Sequence, residues 1–217
     1  MPSPPKSPTI GIRYISDAVK SDHRLLERLY AKLTSSSSPT TPSNTTTATS
    51  LDHQRALCRR LAWELGRHLV AVELFIFPGT AHRAKQGNAA ARERQRDMAQ
   101  LRGELRALSA AAAADPAEDE ARLTTAVGEL GEHLLRRHIR DVERVDLVNI
   151  ENVLSAQESE DLARDFERTV YFIPHGVRED DGEEDGFGVK APYSSVEGLL
   201  DASPGELRAA MKKFPEE

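Results

Sequence analysis

Three histidines constrain this chain most: His23, His68 and His138 each fall on the apolar stripe of a different helix-periodic segment. Apolar residues recurring every three to four positions mark an amphipathic helix with one buried face. A lone histidine on such a face is ordinarily a hydrogen-bonded core residue. Three on separate helices predict imidazoles that meet at one interior point, where their nitrogens can hold a metal ion.

The spacing predicts a first helix over 16–33, with Ser16 as N-cap and Asp17 in the first turn. Val19, Leu26, Tyr30 and Leu33 share its stripe with His23. The Ser/Thr/Pro tract 34–50 is almost devoid of apolar residues and reads as a flexible loop. A second helix is predicted over 52–77, stopped by Pro78-Gly79. Leu57, Leu61, Leu65, His68, Val72 and Phe75 form its inner face.

The third helix starts near Asn88 and fades through the alanine run 110–114. Met98, Leu101, Leu105 and Leu108 make its narrow seam, and Arg92, Glu93, Arg94 and Arg96 its solvated face. Asp115-Pro116 reads as the cap and first residue of a fourth helix reaching about Leu154. Its inner face is Val127, Leu130, Leu134, His138, Val142, Val145 and Asn149. Ser155-Ala156-Gln157-Glu158 is a capping-box pattern that opens a shorter helix ending near Ile173-Pro174. An acidic stretch over 179–188 reads as a mobile loop. Ser203-Pro204-Gly205-Glu206 then opens a last helix whose Leu207, Met211 and Phe214 predict docking on the main body.

These segments predict an all-α fold: an antiparallel up-down-up-down four-helix bundle with additional C-terminal helices. The expected organisation is a disordered N-terminus over 1–14, the bundle over 15–175 with its flexible loop 34–50, and an acidic loop and docking tail over 176–217. No strand-type alternation is sustained. A formal charge of −6 argues against a nucleic-acid partner. The single cysteine, Cys58, cannot close an internal disulfide and reads as a buried, inert thiol. No apolar run is long enough for a membrane span and no secretory signal pattern opens the chain, so a cytoplasmic protein is expected. No nucleophile elbow, phosphate loop or dinucleotide fingerprint occurs, so enzymatic activity is not expected. His53, His82, His133 and His175 read as surface or terminal groups.

Several segments also carry a family resemblance. They are Asp22-His23-Arg24, Trp63-Glu64-Leu65-Gly66-Arg67-His68 running on to Pro78, His138-Ile139-Arg140, and Asp165-Phe166-Glu167-Arg168-Thr169 through Pro174. The tail from Gly198-Leu199-Leu200 to Lys213-Phe214-Pro215 adds to them. Together they resemble the hemerythrin-like HHE cation-binding family. The resemblance implies a four-helix bundle around a non-haem di-iron centre, with dioxygen binding or the sensing of iron or oxygen as its role. It also implies a ligand set of one His from the first helix, His-x-x-x-Glu from the second, one His from the third and His-x-x-x-Glu from the fourth. His23, His68 and His138 match that set. Val72 and Val142 occupy the Glu positions, and Met98 the third-helix His position.

Glu73 and Glu143, each five residues after its histidine, are the candidate carboxylate ligands, while Glu64 and Asp141 lie nearer in angle. Three readings stay open at this point: a di-iron centre, a single ion for which zinc is also well suited, and a bundle without metal. The expected function is metal-cation binding, iron by resemblance. The alternative is a metal-free helical scaffold that engages a protein partner through its loops or tail.

Overall fold

The computed structural model describes residues 14–36, 47–82, 88–114, 120–178 and 190–215, and among them every regular element is helical. The first rod is α1 (Ile15–Ser36). The second is α2 (Thr47–Ala71), a π turn (Val72–Ile76) and α3 (Phe77–His82). The third is α4 (Asn88–Ala113). The fourth is α5 (Glu120–His133), a π turn (Leu134–His138), α6 (Ile139–Asp141), a second π turn (Val142–Asp146) and α7 (Leu147–Glu151). Next come α8 (Ala156–Arg168), a 3₁₀ turn (Thr169–Phe172), α9 (His175–Arg178), α10 (Val196–Asp201) and α11 (Pro204–Met211).

Successive rods are neighbours: α1 packs on α2, α2 on α4 and α4 on α5, and α7 returns to α1. The result is the expected all-α bundle with further helices at its C-terminal end. Both capping boxes form. The Ser155 hydroxyl accepts from the Glu158 amide and the Glu158 carboxylate accepts from the Ser155 amide, and Ser203 and Glu206 repeat the arrangement. The tract 34–50 is shorter than expected, because α1 runs on to Ser36 and α2 begins at Thr47. Residues 37–46, all but Tyr14 of the expected disordered N-terminus 1–14, the Asp115-Pro116 cap and the acidic stretch 179–188 lie outside the described residues.

The second rod is the axis of the molecule. Every residue from 61 to 72 is buried, because α1, α4 and the tail helices α9 and α10 all pack on α2. The tail approaches closely at Gly66, where a Cβ would come within 3.2 Å of Val196. Pro78 does not end this rod as its sequence predicts. Proline removes the amide that would bond the carbonyl four residues back. That carbonyl belongs to Leu74, and Arg208 of α11 donates to it instead, at 3.4 Å. The tail thus supplies a donor to the carbonyl that the proline leaves without its amide.

The fourth rod departs from the expected register for a geometric reason. Leu130, Leu134, His138, Val142, Asp146 and Ile150 are all at most 3 % exposed, a strict four-residue row. In a regular α-helix each step of four gains about 40°, so five steps would carry the row about 200° out of the core. Each π turn admits one extra residue, which sets the rod back by about 100°. Two such turns cancel the drift. The expected inner residues Val145 and Asn149 therefore leave the core: Val145 is 44 % exposed, while Leu147 and Ile150 take the inner positions. Asp146 can occupy this row because the Arg94 guanidinium grips it, Nε donating to Oδ2 at 2.7 Å and Nη2 facing Oδ1. Higher on the same rod Gly131 admits the Tyr30 ring; a Cβ there would sit 2.1 Å from it.

The buried apolar residues fall into two groups. The larger runs through Leu26, Leu61, Leu65, Met98, Leu105 and Leu130 to the tail residues Leu199, Leu207 and Phe214. The smaller holds Ile15, Val19, Val72, Ile76, Val142, Leu147, Ile150 and Phe166. Cys58 lies in the larger group, and burial pushes its thiol up to about 11.

Candidate metal centre

His23 from α1, His68 from α2 and His138 from the first π turn of the fourth rod come together in the interior, none more than 2 % exposed. Their ring centroids are 4.9, 5.4 and 6.1 Å apart, and the rings meet edge to face. One nitrogen from each lies within 4.8 Å of the other two. His68 Nε2 and His138 Nε2 face each other at 3.2 Å. His23 Nε2 is buried with no hydrogen-bond partner. An orphaned buried polar atom costs about 1–3 kcal/mol, and a cation among these nitrogens would satisfy it.

The outward nitrogens fix the direction of the inward ones. His68 Nδ1 donates to Asp22 Oδ2 at 3.1 Å, and His23 Nδ1 donates to Glu143 Oε1 at 2.8 Å. With the proton on Nδ1, each Nε2 keeps its lone pair toward the centre. Burial alone would raise the Asp22 carboxyl. Arg67, 2.8 Å away, and His68 outweigh it and hold Asp22 well below the usual carboxylate range. Arg67 is itself buried between Asp22 and Glu64 and donates to the Thr169 hydroxyl at 3.3 Å. Burial and the neighbouring imidazoles press His23 and His138 far below the ordinary histidine value. Both rings are therefore neutral at physiological pH, which is the form that ligates metal.

Apart from Asp22 and Glu143, apolar side chains border the cluster, with Met98 and Val142 lining a cavity together with His138. Val72 and Val142 belong to the smaller apolar group and Met98 to the larger, and the Phe166 ring lies 6.1 Å from His68. The two carboxylates expected as ligands, Glu73 and Glu143, lie outside this cluster of nitrogens. Glu73 accepts from Arg102 Nη2 at 2.5 Å, and Arg102 also donates to the Leu200 carbonyl, so Glu73 serves the contact with the tail. Five residues past His68 carry a side chain about 140° around an α-helix. The second rod keeps regular pitch up to Ala71, so Glu73 retains nearly that whole angle. Glu143 does reach the site, but from outside: it holds the far nitrogen of His23 and also contacts Arg24 at 3.6 Å. Glu64 is taken by Arg67, and Asp141 by Arg140 at the surface.

Asp22 is the functional residue that periodicity overlooks. It stands beside His23 in the sequence, yet its partner is His68, 46 positions on. His133 also departs from its expected place at the surface. It is buried, with Nδ1 3.0 Å from Glu104 and Nε2 2.9 Å from Asp97, both on α4.

Three imidazole nitrogens with no carboxylate among them suit one borderline cation such as zinc, iron, copper or nickel. A bridged pair of irons needs hard oxygen ligands that valine cannot supply.

The comparisons agree with this geometry. A family model described as the hemerythrin HHE cation binding domain matches residues 14–148, a span that contains all three histidines. A relative from Schizosaccharomyces pombe, described as an uncharacterized hemerythrin-like protein, is 30 % identical over 201 residues, covering 93 % of this chain and 88 % of its own length. No solved structure gives a match. Among the described residues no helix is long and apolar enough to cross a membrane. The domain match, the near full-length relative and three imidazoles converging in a helical bundle make this chain a member of the hemerythrin HHE cation-binding family.

Proposed function

We propose that this protein binds one transition-metal cation between His23, His68 and His138, iron by family, and serves as a binding protein for iron or oxygen sensing. The observation that carries the reading is the convergence of the three imidazoles, with an unpartnered Nε2 on His23. Asp22 and Glu143 would orient two of the rings, as outer carboxylates do at histidine metal sites. Val72, Val142 and Phe166 would keep bulk water away. A redox-active iron held there would supply a position for a small exogenous ligand such as dioxygen. One ion is proposed rather than two, because the cluster of possible ligands among the described residues consists of the three histidines.

The test is direct. The full chain is purified under reducing, metal-replete conditions, and iron, zinc and manganese are measured per chain. About one ion per chain is expected, with none left in His68→Ala. Stoichiometric zinc with no iron would keep the site and overturn the iron assignment. No bound metal, with melting indifferent to a chelator, would overturn the reading in favour of a metal-free scaffold.

A further inference from the structure

We propose that the cation enters through the cleft between α4 and the fourth rod, and that His138 is the first histidine it meets. This inference rests on the cation-binding reading above. A cavity of about 280 Å³ lies between these two rods. Its buried lining includes Met98, His138 and Val142, and its exposed lining includes Glu93, Asp141 and Val145. It therefore leads from the surface to one imidazole of the cluster. Neither His23 nor His68 lines it; both are 0 % exposed.

The departures of this chain from the family's ligand pattern are what shape this floor. Met98 and Val142 stand where the resemblance places a histidine and a carboxylate, and both border the cavity. An unbranched thioether gives way more readily than a ligating ring. The sign of the field also suits a cation. Glu93, Asp97, Asp141 and Asp146 outnumber Arg94 and Arg137 in its lining; Arg94 pairs with Asp146, Arg137 lies 3.6 Å from Asp97 and Arg140 pairs with Asp141, so the net negative charge is small. Charge placed in a cleft between low-dielectric walls changes the local concentration of a cation there and its rate of entry. Val145 is the exposed residue through which this field can be changed without touching the core, and it stands in the cleft because the second π turn expels it from the inner face.

The experiment uses Co²⁺, added to the metal-free full chain at low ionic strength, with uptake followed by its visible absorption in a stopped-flow instrument. Val145→Glu is expected to take up Co²⁺ faster than the parent, and Val145→Lys slower, the two differing about threefold or more. The final spectrum and the stoichiometry should be the same in both. At about 1 M salt, where the screening length is about 3 Å, the difference should vanish. Val148, 51 % exposed on the same rod and outside the cleft lining, is the control; Val148→Glu and Val148→Lys should differ little. Equal rates in the Val145 pair, or an equal spread in the Val148 pair, would overturn this route while leaving the binding site intact. A parent chain that takes up no Co²⁺ would overturn the cation-binding reading, and the route with it.

Discussion

Two buried histidine environments lie five residues apart on the fourth rod. At His138 the ring faces other rings. At His133 each nitrogen faces a carboxylate of α4, Glu104 on one side and Asp97 on the other. Both side chains are almost fully buried. What separates them is the chemistry of their neighbours: ring nitrogens turned toward one another suit a shared cation, whereas a carboxylate beside each nitrogen holds a ring by hydrogen bonding. Burial of a histidine therefore says little about its use, and the atoms opposite its two nitrogens say nearly everything.

Deleting the two rings in turn is the severest way to break this contrast. His68→Ala is expected to abolish metal binding, and His133→Ala to retain the full complement, as read by metal content per chain. Stability should then separate them in the opposite sense. His133→Ala leaves Asp97 and Glu104 facing each other without the ring, and urea unfolding should show a loss of about 2–4 kcal/mol. In the metal-free state His68→Ala should cost less, because it relieves a crowded set of nitrogens.

A milder change addresses the outer carboxylates. Asp22→Asn should weaken metal affinity by about 10–100-fold, whereas Glu104→Gln, at the other histidine, should leave affinity unchanged. Equal effects of the two would dissolve the distinction.

Acid should give the most gradual signature. His23 and His138 are held far below the ordinary value of 6.5 in the folded state. The unfolded chain therefore binds more protons than the folded one once pH falls below 6.5. Stability is fully present above that value and is lost as pH decreases, with a slope approaching about 1.4 kcal/mol per pH unit for each ring. Denaturant midpoints of the metal-free chain between about pH 7 and 5 would show it, and a flat profile would mean that these rings are solvated.

Much of this is legible in the sequence. The rods, both capping boxes, the docking tail and the three converging histidines all arise from spacing and cap chemistry, which are local. The departures share a different cause. The inner face after Val142 is displaced because a 3.6-residue period does not hold through a turn that is wider than that. Pro78 carries a stop signal, but the donor to the carbonyl it leaves without an amide, Arg208, lies in the distant tail. Glu73, Glu143, Asp22 and His133 escape sequence reasoning because the partner of a charged side chain is decided by which rods meet. Periodicity along one rod carries no record of that. His133 does carry one faint signal: Asp97 and Glu104, two helical turns apart, share a face of α4.

The wide turn at Val142–Asp146 has a consequence for how this rod tolerates changes in chain length. A helix that already carries a surplus residue is one deletion away from a regular one. Removing the exposed Arg144 would convert the turn to ordinary pitch, with Leu147 and Ile150 still directed inward. A shortening of this kind, ruinous in most helices, should here leave the interior lined as before.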